Sequence, residues 1–454
     1  MASLWLWVFV SAILMVNGDI EDDFRGLYEV YNDFHLYLGH VGETTHDQYE
    51  TESFGIEFDC PSSVAPEKPT SVHRLRPGDF NVIAAVGDSL STAYAADASI
   101  FLPVMLNYWG VSASIGGDQS VSSVGTLPNI LRKYNPDILG YSTGEGIVFT
   151  QPKSKSFNRA VVGAKAKGLP KQARKLIDDL RDHPDVDMEN DWKIITLFIG
   201  GNDLCSGCTK ETSEPQEYLA FIDEALQMFH DEVPRVLVNL VGVLNAYILP
   251  DLDGSLKCDL VHAIVCGCLN KGGGRDAIYV RAKEYQKIVQ EHIESGKFDD
   301  KEDFTVVYQP FFHNTSIPRH EDGSPDSSYF APDCFHLSQK GQAAQATANW
   351  NGLFEPVGSK RVEWFPGEKL NCPSKEFPYI YTNVNSMPGD LQHDYSQSAV
   401  GTDQDQDQGQ TLSQQTLIIA GVIGGVMLVI IVATIVVSIT KKRRLSLNAS
   451  YQRL

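Results

Sequence analysis

The sequence predicts an α/β protein: a parallel sheet covered by helices on both faces, followed by one C-terminal transmembrane helix. Three observations support this fold class. Several short segments are apolar throughout and alternate with amphipathic segments, as in buried parallel sheets. Polar blocks follow directly after two of the apolar segments, at 87–90 and 200–203. Near the C-terminal end, residues 417–440 contain no charged residue.

Four strands are predicted from continuous apolar runs of strand length. A run of this kind is typical of a strand that is buried on both faces, because alternation is lost when neither face meets water. The predicted strands are Val82–Val86, Ile194–Ile199, Val236–Val243 and Phe304–Tyr308.

Helices are predicted between these strands from apolar residues at helical spacing. The clearest case is Leu169–Asp182, where Ala173, Leu176, Ile177 and Leu180 fall on one face. The other predicted helices are Leu90–Leu106, Thr126–Tyr134, Pro215–Glu232, Asp276–Ser295 and Ser338–Phe354.

Two segments between the helices are long for connections, namely 110–151 and Tyr247–Gly274. Long insertions on such a scaffold form either substrate walls and lids or stapled surface loops. The sequence leaves both alternatives open.

The chain ends predict a membrane protein. Leu4–Val16 is apolar and precedes Asn17-Gly18, which is typical of a signal peptide over residues 1–18. Residues 417–440 would form a helix about 36 Å long, enough to cross a hydrocarbon core of ~30 Å. Basic residues follow at 441–444, so the tail is expected in the cytoplasm. We expect a single-pass type I protein of the apical plasma membrane, with its main domain extracellular.

The domain organisation follows from these assignments. Between the signal peptide and the span, a polar and Asp-Gln-rich segment before residue 417 is expected to be a flexible stalk. The predicted order is an N-terminal extension at 19–76, the main domain at 77–384, the stalk at 385–416, the transmembrane helix at 417–440 and the tail at 441–454.

Composition narrows the possible partners and the compartment. The 454 residues carry a formal net charge of −21, which argues against a nucleic-acid-binding protein, since such proteins need a basic footprint. Eight cysteines, all before the predicted span, favour disulfides in an oxidising compartment over the redox or zinc chemistry that Cys205-x-x-Cys208 would suggest in isolation. Asn314-Thr315-Ser316 is an acceptor for N-glycosylation there.

Ser89 is the candidate nucleophile. It lies in Gly87-Asp88-Ser89-Leu90, at the end of the first predicted strand, where a parallel sheet presents its active site. A serine hydroxyl needs a base to take its proton, and His336 is the candidate. Asp333, three residues earlier, can hold the imidazole in the required tautomer. The alternative is that Asp333 caps the helix predicted at Ser338.

A negatively charged intermediate also needs hydrogen-bond donors. The backbone N–H of Ser89 is one candidate, and the side-chain amide of Asn202, which follows the second strand, is another. For the third donor we favour Gly163, because it precedes the helix that leads into the strand before Asn202. Gly117 is the alternative. No G-x-S-x-G turn surrounds Ser89 and no His-Glu-x-x-His motif is present, which argues against an α/β-hydrolase lipase and a zinc hydrolase.

The ordered blocks at 87–90, 158–163, 201–203 and 333–336 resemble those of the GDSL, or SGNH, hydrolases. Longer stretches at 126–131, 192–205 and 330–336 resemble the membrane-associated phospholipase B branch, and the resemblance covers residues 77–357. It implies a flavodoxin-like three-layer α/β/α sandwich and hydrolysis of phospholipid and lysophospholipid acyl esters through an acyl-serine, with no metal or other cofactor. The serine, glycine, asparagine and histidine roles carry over to Ser89, Gly163, Asn202 and His336, with Asp333 as the acid of the triad.

The sequence departs from this family pattern in two respects. Mammalian members carry several tandem copies of the unit, whereas this chain has one. After the nucleophile, Leu90-Ser91-Thr92-Ala93-Tyr94 replaces the usual Leu-Thr-Ala-Gly run. Two alternatives stay open: an esterase for retinyl esters or acetylated glycans, and a catalytically silent surface receptor.

Overall fold

A computed structural model describes residues 54–61, 67–98, 106–148, 150, 152–206, 214–252, 256–269 and 271–386. The predicted signal peptide, most of the N-terminal extension, nearly all of the stalk, the predicted span and the tail lie outside these residues. Among the described helices, none has the length and apolar character needed to cross a membrane.

Four parallel strands form the central sheet, and their sequence order is their spatial order. Each is buried along nearly its whole length, which explains the continuous apolar runs. The strands are β1 (Phe80–Gly87), β2 (Trp192–Phe198), β3 (Val236–Val241) and β4 (Phe304–Gln309). The predicted parallel α/β architecture is confirmed.

The outer edge of β1 is covered by extended chain rather than by a regular strand. Single parallel bridges join Val82 to Leu139 and Ala85 to Asn158. These segments occupy the position that the second strand takes in a flavodoxin-like order, next to the first strand and away from the third. A separate antiparallel pair joins Leu106–Asn107 to Gly146–Ile147.

Eight α-helices are described, and five of the six predicted ones are among them. They are α1 (Leu127–Leu131), α2 (Leu169–Asp182), α3 (Gly201–Cys205), α4 (Pro215–Glu232), α5 (Leu256–Val265), α6 (Gly274–Glu294), α7 (Gln339–Leu353) and α8 (Asn383–Ser386). Short 3-10 helices lie at Val72–Arg74, Pro77–Asp79, Trp109–Val111, Lys153–Lys155, Ala166–Gly168, Ala246–Asp251 and Ser327–Tyr329.

The helix predicted at Leu90–Leu106 is wrong. Within the described part of this segment the chain forms consecutive turns, and Ala93 and Ala95 have φ angles of 51° and 58°. The left-handed region is incompatible with an α-helix of L-residues. The alanine-rich sequence favours a helix by intrinsic propensity, and the surrounding contacts override that preference.

Successive residues of β1 pack into two different cores, one on each face of the sheet. Val82, Ala84 and Val86 join the core formed by α2, α4 and α6, whereas Ile83 and Ala85 join the core on the side of α1 and α7. This alternation is the period of two that a strand imposes. The result is three layers, with the sheet in the middle.

Disulfides connect distant parts of this domain. Among the described residues the three pairs are Cys60–Cys372, Cys205–Cys266 and Cys258–Cys334, and Cys268 is disulfide-bonded as well. The long segment Tyr247–Gly274 therefore contains α5 and is stapled at Cys258 and Cys266. Cys205 belongs to a structural bridge, as predicted.

Replacing Gly87 tests how tightly β1 and β2 approach at the point that leads into Ser89. Gly87 has a φ of 155°, and a Cβ there would lie 2.2 Å from the carbonyl oxygen of Phe198. We expect Gly87→Ala to lower the free energy of unfolding by about 2 kcal/mol or more, measured by denaturant unfolding. Gly272→Ala is the control, since its Cβ would meet open space; equal stability of both variants would contradict the expectation.

Candidate active site

The carboxyl ends of β1 and β2 bring the predicted residues together. Ser89 follows β1 by two residues, and Asn202 lies in the first turn of α3, directly after β2. The last residues of the two strands, Gly87 and Phe198, are register partners, so both connections begin at the same edge of the sheet. His336 lies in the loop before α7.

Ser89, His336 and Asp333 form a continuous chain of hydrogen bonds. The Ser89 Oγ lies 2.8 Å from Nε2 of His336, and the His336 Nδ1 lies 2.6 Å from Oδ2 of Asp333. With a proton on Nδ1, the Nε2 atom is free to accept the proton of the serine. Residues 247 positions apart in the sequence therefore meet with the geometry of a nucleophile, a base and an orienting carboxylate.

The carboxylate of Asp333 is fully engaged. Its Oδ1 accepts the backbone N–H groups of Phe335 and His336, each at 3.0 Å. Burial alone would raise the pKa of Asp333, but the charge of His336 and these hydrogen bonds hold it below its ordinary value. The group therefore stays ionised, and it does not cap α7, because Ser338 accepts the N–H of Gly341 there.

Two backbone N–H groups are available as donors: that of the nucleophile Ser89 and that of Gly163, in the 161–166 loop. The N–H groups of Ser89 and Gly163 have no hydrogen-bond acceptor among the described residues. Asn202 donates one Nδ2 hydrogen to the carbonyl of Ala164 at 3.0 Å and keeps the other. Gly163 has a φ of 75° and nothing near its Cβ position, so its backbone is open. These are the properties an oxyanion site requires.

The alternative donor, Gly117, is engaged elsewhere. Its N–H bonds to the carbonyl oxygen of Ser142 at 2.8 Å, and the ring of Tyr141 occupies the space where a Cβ would be. A donor that already has a partner cannot stabilise a new charge without breaking that bond. The geometry therefore favours Gly163 over Gly117 as the third donor.

Gln172 is a supporting residue that sequence analysis missed. It lies on the buried face of α2, and its amide group bonds both the N–H of Gly87 at 2.8 Å and the carbonyl of Gly87 at 2.9 Å. This clamp holds the backbone two residues before Ser89. A polar residue on an otherwise apolar helix face was the feature that could have identified it, because buried polar groups need partners.

Tyr94 is a second residue that the sequence did not assign to the site. Its ring centroid lies 4.8 Å from that of His336, and Phe335 contacts the imidazole from 5.0 Å. Ala93 and Ala95, on either side of Tyr94, both have positive φ angles. Strained backbone of this kind concentrates at functional sites. The unusual run after the nucleophile therefore forms a wall against the histidine.

Two buried carboxylates lie behind the serine. Asp88 accepts the N–H of Leu90 at 3.0 Å, and Asp203 accepts the N–H of Ala166 at 3.0 Å. Burial raises the pKa of Asp88 to about 7 and that of Asp203 to about 6, and the charge of Asp203 adds to the shift of Asp88. Protonation of this pair therefore falls near neutral pH.

The loop that carries His336 is held in place by two contacts from α5. Cys334 bonds Cys258 of α5, and Nε2 of His262 lies 2.7 Å from the carbonyl oxygen of Cys334. Cys334 itself has a φ of 58°, which turns the chain between Asp333 and His336. These contacts hold the turn in which the aspartate reaches back to the imidazole.

Comparison with known proteins points to the same chemistry. The profile of the family described as GDSL-like Lipase/Acylhydrolase matches residues 83–349. Over 348 residues, or 74% of this chain, the sequence is 43% identical to a human protein named "Phospholipase B1, membrane-associated" and 42% identical to its mouse counterpart. The alignments cover 24% and 23% of those proteins, so the chain spans about a quarter of the length of these relatives.

The Asp88 carboxyl makes the stability of the protein depend on pH. Its pKa is raised on folding, so the stability it contributes is complete below about pH 4, the ordinary range of aspartate, and is lost as pH rises through about 7. Asp88→Asn removes this loss and keeps an acceptor for the N–H of Leu90. We expect the melting temperature of the variant, relative to wild type, to increase from pH 5 to about pH 7 and to level off above it.

Thermal unfolding at several pH values measures this difference. Asp137→Asn, at an exposed position, is the matched control and should show no such trend. A constant offset between Asp88→Asn and wild type across the range would mean that Asp88 stays ionised in the folded protein.

Proposed function

Because the chain belongs to the GDSL-like lipase/acylhydrolase family, we propose that it is a serine carboxylic-ester hydrolase that cleaves acyl esters of glycerophospholipids and lysophospholipids. The observation that carries the proposal is the hydrogen-bonded chain of Ser89, His336 and Asp333, which lies within the matched region. The similarity to proteins named phospholipase B1 supports the choice of lipid esters.

In the first half of the reaction, the Ser89 oxygen attacks the ester carbonyl while Nε2 of His336 takes the hydroxyl proton. Asp333 stabilises the imidazolium without accepting its proton. The carbonyl oxygen becomes an oxyanion, which the N–H groups of Ser89 and Gly163 and the free amide hydrogen of Asn202 receive. Removing one such donor costs about 3 kcal/mol of transition-state stabilisation.

The second half releases the acyl chain. The imidazolium of His336 gives its proton to the departing alkoxide of the glycerol, which leaves an acyl-serine. Water then attacks this ester, with His336 again taking a proton, and the fatty acid and free Ser89 are formed. No step requires a metal, because the base and the donors come from the chain itself.

We propose in addition that residues 417–440 span a membrane once and that the domain at 77–384 faces the extracellular side. The human and mouse relatives are named as membrane-associated, and disulfides such as Cys60–Cys372 suit an oxidising compartment. Asn314 is exposed, as an N-glycosylation site there must be.

Release of fatty acid from phosphatidylcholine and lysophosphatidylcholine in the presence of EDTA tests the proposal. We expect the wild-type chain to release fatty acid from both lipids. Ser89→Ala should reduce the rate by roughly 10⁶-fold, as nucleophile removal does in serine hydrolases.

Ser91→Ala is the matched control, since this neighbouring hydroxyl makes no hydrogen bond through its Oγ among the described residues. Retinyl and acetyl esters run in parallel distinguish the alternative esterase. Turnover confined to those esters, or equal phospholipid hydrolysis by Ser89→Ala, would refute the proposal.

A further inference from the structure

In one segment of this acidic chain, every charged residue is a lysine or an arginine. Residues 153–175 hold eight of the 37 lysines and arginines and no aspartate or glutamate, in a chain of net charge −21. The segment includes Gly163, the proposed oxyanion donor. An isolated concentration of one sign of charge beside a reaction centre creates a local potential opposite to that of the remaining surface.

Half of these cations have partners that explain them. Arg159 and Lys175 pair with Asp179, and Arg174 pairs with Glu232. Lys155 is buried, and its Nζ donates to the carbonyl of Ala160 at 3.1 Å. These four residues have structural roles within the domain.

The other four have no carboxylate within ion-pair distance in the described part of the chain. One is Lys153, and the remaining three follow Gly163 in the sequence. They are Lys165, Lys167 and Lys171, and all three retain contact with solvent. Lys165 and Lys167 nevertheless lie close enough to the buried Asp203 for their charges to oppose the rise that burial imposes on its pKa. We call these three residues the lysine strip.

The loop that carries Lys165 is fixed to the catalytic framework at both ends. The N–H of Val161 bonds the carbonyl of Gly87 at 3.1 Å. The carbonyl of Ala164 accepts from Asn202, and the N–H of Ala166 bonds Asp203, each at 3.0 Å. The backbone of Lys165 therefore lies between two residues that bond the segment after β2. One of these bonds is to Asn202, the proposed oxyanion donor.

We propose that the lysine strip binds the phosphate of the lipid headgroup while the acyl carbonyl occupies the oxyanion site. The inference rests on the proposed function and adds the group by which a phospholipid is selected over a neutral ester. In a glycerophospholipid the phosphate is separated from the acyl carbonyl by the few bonds of the glycerol. An ammonium on a flexible stem beside the oxyanion site is suited to such a group.

The geometry favours a headgroup in the site over general attraction to an anionic membrane. Three lysines would attract the chain only weakly to an anionic membrane surface, against the repulsion of a chain with a net charge of −21. Long-range attraction to a membrane does not require the loop that carries Lys165 to be bonded rigidly to Asn202 and Asp203. Such rigid bonding is useful for binding a phosphate at a fixed distance from the reacting carbonyl.

The test compares two soluble esters with the full chain: a short-chain lysophosphatidylcholine and the monoacylglycerol with the same acyl group, both below their critical micelle concentrations. The quantity measured is the ratio of their kcat/KM values. We expect K165Q/K167Q/K171Q to lower this ratio about tenfold, the combined effect of three exposed charge contacts. The ratio for wild type should fall with added salt, whereas that of the variant should not.

The control is K271Q/K287Q/K369Q, which makes the same change in net charge at exposed positions and should leave the ratio at the wild-type value. An unchanged ratio in the strip variant would overturn the inference, as would a loss seen only with vesicles, which would indicate membrane docking instead. Wild-type activity on the monoacylglycerol without any on the lysophospholipid would refute the proposed function itself, and the inference with it.

Discussion

The hydrogen bond between Ser89 and His336 is the contact on which the rest of the site depends. It joins the segment after β1 to the loop before α7. The side chain of Gln342 also donates to the carbonyl of Leu90 at 3.3 Å, which holds the same two parts of the chain together. The distance of 2.8 Å between Ser89 and His336 requires both backbones to be fixed. On one side Gln172 clamps Gly87, and on the other the Cys258–Cys334 disulfide and His262 hold the loop. The fold brings these segments together at the carboxyl edge of the sheet.

This convergence places carboxylates and other polar groups in the buried interior beside the site. Asp88 and Asp203 are buried directly behind the nucleophile, and their raised pKa values express what the desolvation of a carboxylate costs. Each accepts a backbone N–H of a loop that also carries a site residue or precedes one. The pair therefore holds the loops in register at the expense of stability near neutral pH.

The sequence was sufficient for most of the fold because its buried strands are apolar on both faces and its helices have one apolar face. Leu169–Asp182 and Pro215–Glu232 were predicted with the observed bounds. The prediction for the segment after Ser89 was wrong because alanine favours a helix locally. In the structure Ala93 and Ala95 have positive φ angles, and their backbones bond those of Tyr108 and Leu106 instead. For the site, the motifs identified groups that carry chemistry, and the structure brings Ser89, Asp333 and His336 together. Gln172 and Tyr94 belong to no motif, since their roles arise from contacts 85 and more than 200 positions away in the chain.

Covalent labelling of the folded protein with a fluorophosphonate probe tests whether His336 activates Ser89, because the probe reacts with a serine whose proton is taken by a positioned base. Peptide mapping should find the label on Ser89 alone. The labelling rate should fall sharply in His336→Ala, in which the 2.8 Å partner of the serine is missing. A label on another serine, or labelling of Ser89 that does not depend on His336, would contradict the account.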